Sequence, residues 1–288
     1  MAGQDWWEAP QWAAYLEYKE LPIKASSKAA LARLEEGGEE NLSGHEYAAL
    51  LLDDPLLALR LLREANRRLP RRLARDITTP LGILLALGTE QFKAQITRAP
   101  EATEANQGFI TSERRASLGA RIAFSWGSLH HDLDQGELAL AALLADAGEI
   151  ELWAFVPELP QRALDELHSG RASRSDQAQR QACGFTFRDL SLELIERGGL
   201  PPLIKQLIRG DEGLRAQLAR LSVDAGRHLS YGPGDPALPH DLVAAARLTH
   251  SPLATVAQGI PHLSDEERQT LLLAAISLSE SVQEYLTN

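Results

Sequence analysis

Signals for the start of a helix recur along this chain, whereas the alternating pattern of a β-strand does not. Three pairs place a capping side chain directly before a proline: Asp54-Pro55, Thr79-Pro80 and Ser251-Pro252. The side-chain oxygen can accept a hydrogen bond from a backbone N–H, and proline loses no hydrogen bond at the first helical position. The β-branched Val that strands favour occurs only five times. The sequence therefore predicts an all-α fold.

The expected helix ends follow from the same punctuation. Gly88 and Gly259 each follow an apolar run, and we expect both to end a helix in the left-handed conformation. Ser264 and Glu267 have the spacing of a capping box ahead of a long C-terminal helix. Residues 145–148 (ADAG) follow a very apolar helical segment, and we interpret them as the turn that ends it.

Length and composition suit one large domain or two moderate ones. We expect an aromatic-rich segment at 1–17, a main domain at 18–210 and further helices at 211–288. The polar stretch 98–108 (RAPEATEANQG) separates the main domain into lobes at about 18–100 and 109–210. The C-terminal helices are expected to pack on the second lobe.

Charge and cysteine content exclude several functional classes. The net charge of −11 disfavours nucleic acid and anionic membrane surfaces as partners, because both attract basic proteins. One cysteine, Cys183, precludes a disulfide within the chain and fits a reducing compartment. No segment is apolar enough to span a membrane. We therefore expect a cytoplasmic protein.

Two pairs of segments carry a more specific signal. The first is DDPLLALRLLREANRRL (53–69) followed by RDITTPLGILLALGTEQFKAQI (75–96). The second is LALAALLADAGEIEL (138–152) followed by CGFTFRDLSLELIERGGLPPLIKQLI (183–208). In this order and spacing they resemble the HDOD family of bacterial signalling proteins over about residues 18–210. The resemblance implies a two-lobed, HD-like helical bundle, here with a C-terminal helical extension.

The same resemblance implies where a metal site would lie. HD phosphohydrolases, to which HDOD domains are related, use a first His, a His-Asp pair and a further Asp. The corresponding positions are Ala116 and Ala145-Asp146, and Phe187 stands where relatives often have a later histidine. Alanine and phenylalanine have no lone pair to donate, so Asp146 alone cannot hold a divalent cation. We expect no metal, no catalytic residue and no cofactor.

A literal His-Asp pair does occur elsewhere, in His130-His131-Asp132. Glycine and acidic residues flank it, and we expect an exposed loop between helices. Adjacent histidines on a regular element point in different directions, so we expect one metal ion to use both only rarely. A relocated metal site at His130, His131 and Asp132, with Asp146 as a further ligand, remains the alternative.

Three other features can be explained without a ligand. The basic run 63–76 (REANRRLPRRLARD) carries six arginines and is interpreted as a solvated helix end, with a polyanion contact as the alternative. The aromatic residues Trp12, Tyr15 and Tyr18 could share one helix face that docks on the same chain. A contact of this segment with a partner or a second copy, as in a homodimer, is the other interpretation.

These features favour a function without catalysis. We expect a regulatory or scaffold protein of bacterial signal transduction that acts by contact with protein partners. A small ligand would bind in the groove between the lobes, near Asp146 and Phe187. The alternative is a metal-dependent phosphohydrolase of the HD type with a relocated site. A third interpretation is a nucleic-acid or nucleotide sensor that uses Arg67, Arg68, Arg71 and Arg72.

Overall fold

A computed structural model of the chain describes residues 7–36, 43–68, 70, 77–102, 106–210 and 213–287, with side chains up to residue 279. Within these ranges the regular structure is helical, and the extended pairing consists of an isolated parallel bridge between Ile23 and Glu101. The predicted all-α, HD-like class is confirmed. None of the helices in the described ranges combines the length and the apolar character that a bilayer crossing requires.

The helices follow one another with short connections. The first seven are α1 (Ala9–Leu16), α2 (Ala25–Glu36), α3 (Gly44–Ala49), α4 (Pro55–Arg68), α5 (Pro80–Leu87), α6 (Thr89–Arg98) and α7 (Gln107–Gly127), with a 3-10 turn at Leu50–Asp53. The next six are α8 (Gln135–Leu144), α9 (Ala147–Phe155), α10 (Glu158–His168), α11 (Ser175–Cys183), α12 (Phe187–Arg197) and α13 (Pro202–Arg209). The last four are α14 (Leu214–Tyr231), α15 (Leu238–Thr249), α16 (Leu253–Gln258) and α17 (Asp265–Thr287).

The chain forms two compact units. The first unit comprises Met1–Glu113 and Leu144–Lys205, and the second comprises Arg114–Leu143 and Gln206–Asn288. Each unit is therefore built from two separate stretches of sequence.

In the first unit, α1 is part of the core. Trp12 is only 2% exposed and packs with residues of α9, α10 and α12, including Leu152, Leu159 and Phe187. The N-terminal segment thus docks on its own chain through Trp12, as one of the two interpretations predicted. Tyr18 does not share that face: α1 ends at Leu16, and Tyr18 is 85% exposed.

In the second unit, polar contacts join helices around an apolar core. Trp126 is fully buried, and its indole Nε1 donates to the carbonyl of Val256 over 3.1 Å. His228 of α14 and Asp241 of α15 are joined by a 2.6 Å hydrogen bond. Buried aromatic packing and side-chain contacts thus connect α7, α14, α15 and α16 within this unit.

Two of the three predicted proline-preceding caps are confirmed. Asp54 Oδ1 accepts from the Leu57 amide at 2.9 Å, and Thr79 Oγ1 accepts from the Gly82 amide at 2.9 Å. Ser251 was predicted wrongly: its hydroxyl donates back to the carbonyl of Thr249, and Pro252 itself holds the N-cap position of α16. The capping box of Ser264 and Glu267 is present.

Of the two glycines predicted to end a helix with a positive φ, one does so and the other does not. Gly88 ends α5 with a φ of +76°, in the range that favours glycine. The prediction for Gly259 was wrong, since its φ is −74°. Close packing explains this glycine instead, because a Cβ there would lie 2.7 Å from Ser125 Oγ and 2.8 Å from Trp126 Cδ1.

Candidate functional site

Residues 145–148 are where the sequence would place an HD-type metal. We predicted that these four residues form the turn that ends a helix. In the structure α8 does end at Leu144, but α9 begins at Ala147, so only two residues separate the helices. Gly148 lies in the first turn of α9 rather than in the connection. Asp146 occupies the N-cap position of α9, and its side chain makes no cap hydrogen bond there.

The first turn of α9 rests directly on the first turn of α12. The Gly148 amide donates to Ser191 Oγ at 2.9 Å, and that hydroxyl donates to the Phe187 carbonyl at 3.1 Å. A Cβ at Gly148 would lie 2.7 Å from both the Phe187 carbonyl oxygen and the Ser191 nitrogen. Backbone and a serine hydroxyl therefore occupy the space beside this turn.

Three of the predicted ligand positions, Ala116, Ala145 and Phe187, carry side chains without metal-binding atoms. Phe187 is 6% exposed and belongs to the apolar core around α1. Ala145 is partly buried, and Ala116 is a buried residue of the second unit. The structure brings the 145–148 turn and the start of α12 together. The donor set at these positions does not fit an HD-type metal, because Asp146 supplies the single ionisable group among them.

The alternative metal residues lie on the turn between α7 and α8. This turn is exposed, as expected. Because the segment is irregular, the two histidine rings do not diverge as they would on a regular element, and they stack with their centroids 5.3 Å apart. His131 Nε2 lies 3.2 Å from Asp132 Oδ1, and one donor atom from each of the three residues lies within 4.8 Å of the others. Asp146 is not part of this group.

Sequence reasoning missed a buried ion pair between α4 and α9. Arg63 Nη2 donates to Glu151 Oε1 at 2.9 Å, and both side chains are buried. Burial raises the pKa of Glu151 to about 7, although the Arg63 charge and hydrogen bond act in the opposite direction. Glu151 Oε2 and Arg63 Nε have no hydrogen-bond partner among the described residues. The acidic residue between Ile150 and Leu152 in an otherwise apolar run was the available sequence signal.

A second buried carboxylate group lies near the start of α4. Asp54 accepts hydrogen bonds from the Lys24 amide (2.8 Å) and the Ser27 hydroxyl (2.7 Å). Glu113 Oε2 lies 3.8 Å from Lys24 Nζ, and the Glu113 side chain is 3% exposed. Burial raises the pKa of Glu113 to about 8; Lys24 lowers it and Asp54 raises it further. Two carboxylates thus share one lysine, and Glu113 can hold a proton near neutral pH.

The first unit also contains an open groove of about 750 Å³. Asn106 fixes its wall, because Asn106 Nδ2 donates to the Trp153 carbonyl at 2.7 Å and Oδ1 accepts from the Phe109 amide at 3.1 Å. A Cβ at Gly108 would lie 2.5 Å from the Trp153 ring, so only glycine lets the indole approach α7 this closely. The groove is lined by residues 20, 22, 100–102, 106–109, 153–155, 157, 158 and 161. Asp146 and Phe187, where we had expected a ligand groove, do not line it.

The cysteine and the arginines of the basic run can be placed as follows. Cys183 is partly buried, its thiol faces the Leu159 carbonyl at 3.6 Å, and burial raises its pKa to about 11, which disfavours the thiolate. Arg68 contacts Glu64 (2.6 Å) and Gln91 (3.1 Å). Arg71 and Arg72 lie outside the described residues.

Fold and site together define a class: an all-α protein with an HD-like bundle, in which the positions that the resemblance assigns to an HD-type metal carry Ala116, Ala145-Asp146 and Phe187. The model of the HDOD domain matches residues 29–213, and the chain belongs to the HDOD domain family.

Solved structures show the same fold. A virulence factor of Campylobacter jejuni subsp. jejuni is 16% identical with a TM-score of 0.67, covering 93% of this chain and 100% of the other. The MmoQ response regulator of Methylococcus capsulatus str. Bath is 19% identical with a TM-score of 0.59, covering 89% of this chain and 99% of the other. A search of curated proteins found no match.

Proposed function

We propose that this protein is a non-catalytic regulatory or scaffold module of bacterial signal transduction that acts through contact with protein partners. The main support for this proposal is the composition of the turn at residues 145–148. The turn itself carries Ala145, and the backbone of Phe187 and Ser191 in α12 lies beside it, where an HD enzyme would need several ligands.

Too few metal-binding atoms are present at this turn. Hydrolysis at a metal centre needs enough protein ligands to hold the ion, together with an open position for the attacking water. Asp146 is one carboxylate, and the Gly148 amide is already directed at Ser191 Oγ. A cation at this turn would lack a cage of protein ligands.

The signalling context has separate support. The chain belongs to the HDOD domain family, and the structurally similar MmoQ is a response regulator. At 19% identity that likeness concerns the fold, so the signalling role of this chain is part of the proposal.

The test combines metal analysis with a hydrolysis assay. We expect purified protein to contain well below one equivalent of metal, and any release of nitrophenol from bis(p-nitrophenyl) phosphate to be unaffected by a chelator. Asp146→Asn should leave this background unchanged. Stoichiometric metal with turnover that is lost both on chelation and in Asp146→Asn would refute the proposal.

The second candidate function is a phosphohydrolase whose metal lies at His130, His131 and Asp132. One observation favours it: these residues place three donor atoms within 4.8 Å. The same assays decide it through His131→Ala, which should not disturb folding because this side chain is exposed. Chelator-sensitive turnover that disappears in His131→Ala but persists in Asp146→Asn would establish the relocated site.

A further inference from the structure

The groove beside Trp153 combines an apolar floor with an acidic rim. Its aromatic lining consists of Phe109 and Trp153, which are 3% and 5% exposed, and the partly buried Phe155. Its rim carries Glu20, Glu101 and Glu158, and the described residues that line it include no lysine, arginine or histidine. Aromatic anchors surrounded by exposed polar residues are typical of sites that bind protein segments.

The negative charge of the rim favours a positively charged ligand. Lys28 and Arg60 approach Glu101 (3.1 Å) and Glu20 (3.3 Å) from outside the lining. Such exposed ion pairs are weak, and each carboxylate has a second oxygen that can accept from an incoming cation. The net charge of −11 adds a long-range attraction for a basic partner.

The backbone at the groove edge favours a peptide over a small cation. Ile23 forms a parallel bridge with Glu101, in which the Ile23 amide donates to Pro100 and the Ala102 amide donates to Ile23. In this geometry the N–H and C=O of Glu101 point away from Ile23. The outer edge of an extended segment can hydrogen-bond another extended chain, which is a common mode of peptide recognition.

We infer that this groove binds an extended, basic segment of a partner protein. An apolar side chain of the segment packs against Phe155, and a neighbouring arginine or lysine lies beside Glu158 and Glu101. Arginine suits the site best, because its planar group can stack on an aromatic ring and pair with a carboxylate. This inference rests on the proposed function, since it names the class of partner that the module contacts.

The experiment measures fluorescence anisotropy of three labelled peptides, GSRLFRLSG, GSQLFQLSG and GSELFELSG. They share their apolar residues and differ in charge. We expect the arginine peptide to bind at least about tenfold more tightly than the glutamine peptide and to weaken with added salt. The glutamate peptide should bind least.

Matched variants locate the binding site. Glu158→Gln with Glu101→Gln should weaken the arginine peptide by about two- to fivefold per substitution. The control pair, Glu90→Gln with Glu266→Gln, removes the same charge from two exposed helix-start glutamates outside the groove and should leave affinity nearly unchanged.

Several results would overturn the inference. They are equal binding of the arginine and glutamine peptides, equal weakening by both variant pairs, equally effective competition by spermidine, or no binding of any peptide. The metal and hydrolysis assays remain independent of these outcomes. Chelator-sensitive turnover with intact peptide binding would remove the proposed function alone, whereas absent binding without turnover would remove only this inference.

Discussion

At the scale of single residues, two glutamates of the first unit, Glu113 and Glu151, are buried in its interior. Glu151 is neutralised in part by Arg63, whereas Glu113 shares Lys24 with Asp54. Removing a carboxylate from water disfavours its charged form, and the pKa rises when the available partners do not compensate. Both groups therefore connect the protonation state to the stability of the fold.

The pKa of Glu113 predicts how stability depends on pH. Its value rises from 4.5 to about 8 on folding, so between these values the native state holds a proton that the unfolded chain has released. Stability therefore falls as pH rises through this window. Glu113→Gln should flatten the decline and raise the free energy of unfolding at pH 8 by about 2–4 kcal/mol.

Urea unfolding at pH 5.5, 7 and 8 checks this expectation. Glu151 contributes a similar decline up to about pH 7, so the variant should keep a smaller slope rather than none. The exposed Glu90→Gln serves as the control and should keep the full slope. An unchanged slope in Glu113→Gln would contradict the placement of this carboxylate in a dry environment.

At the scale of elements, the contact between α9 and α12 depends on one missing side chain. Inside a helix, replacing glycine by alanine normally adds up to about 1 kcal/mol of stability. At Gly148 the added methyl would meet the backbone of α12 at 2.7 Å. Packing should outweigh propensity, and we expect Gly148→Ala to lower the free energy of unfolding by about 1–3 kcal/mol.

The matched control is Gly234→Ala, where an added Cβ would meet nothing within 4 Å. Denaturant titrations of both variants give the comparison. A stabilised Gly148→Ala protein would show that the two helices can separate without cost.

Helix boundaries could be predicted where neighbouring residues determine them, and not where contacts between distant residues do. The start of α4 was predicted because Asp54 caps its own helix. The start of α9 was missed because ADAG resembles a turn, and what allows helix there is the distant contact of Gly148 with Ser191. Gly259 was misjudged for the same reason, since Trp126 explains it.

The candidate sites divide in the same way. The lack of ligands at Ala145 and Phe187 is a property of residue identity, so the sequence sufficed to predict it. The groove beside Trp153 is assembled from three regions that are far apart in the sequence, represented by Glu20, Glu101 and Glu158. Periodicity and spacing within one region do not show which distant residues lie close together in space, so the groove could not be predicted.

At the scale of the whole molecule, the acidic charge separates the remaining hypotheses. With a net charge of −11, the chain should repel a polyanion at long range, and Arg68 already contacts Glu64. We expect a short DNA duplex to bind with a Kd weaker than about 100 μM at 0.15 M salt, as judged by anisotropy. Tight, salt-dependent binding that weakens in Arg67→Ala with Arg68→Ala would instead support the nucleic-acid interpretation.

The burial of Phe187 bears on the direction in which such a protein can evolve. Its ring now lies in the core that holds Trp12 and the N-terminal helix in place. Placing a histidine there would remove apolar contacts of the core around α1 before any ion could offset the loss of stability. A metal-binding side chain at this position would therefore cost folding stability first, whereas substitutions at exposed positions such as Glu158 carry no such cost.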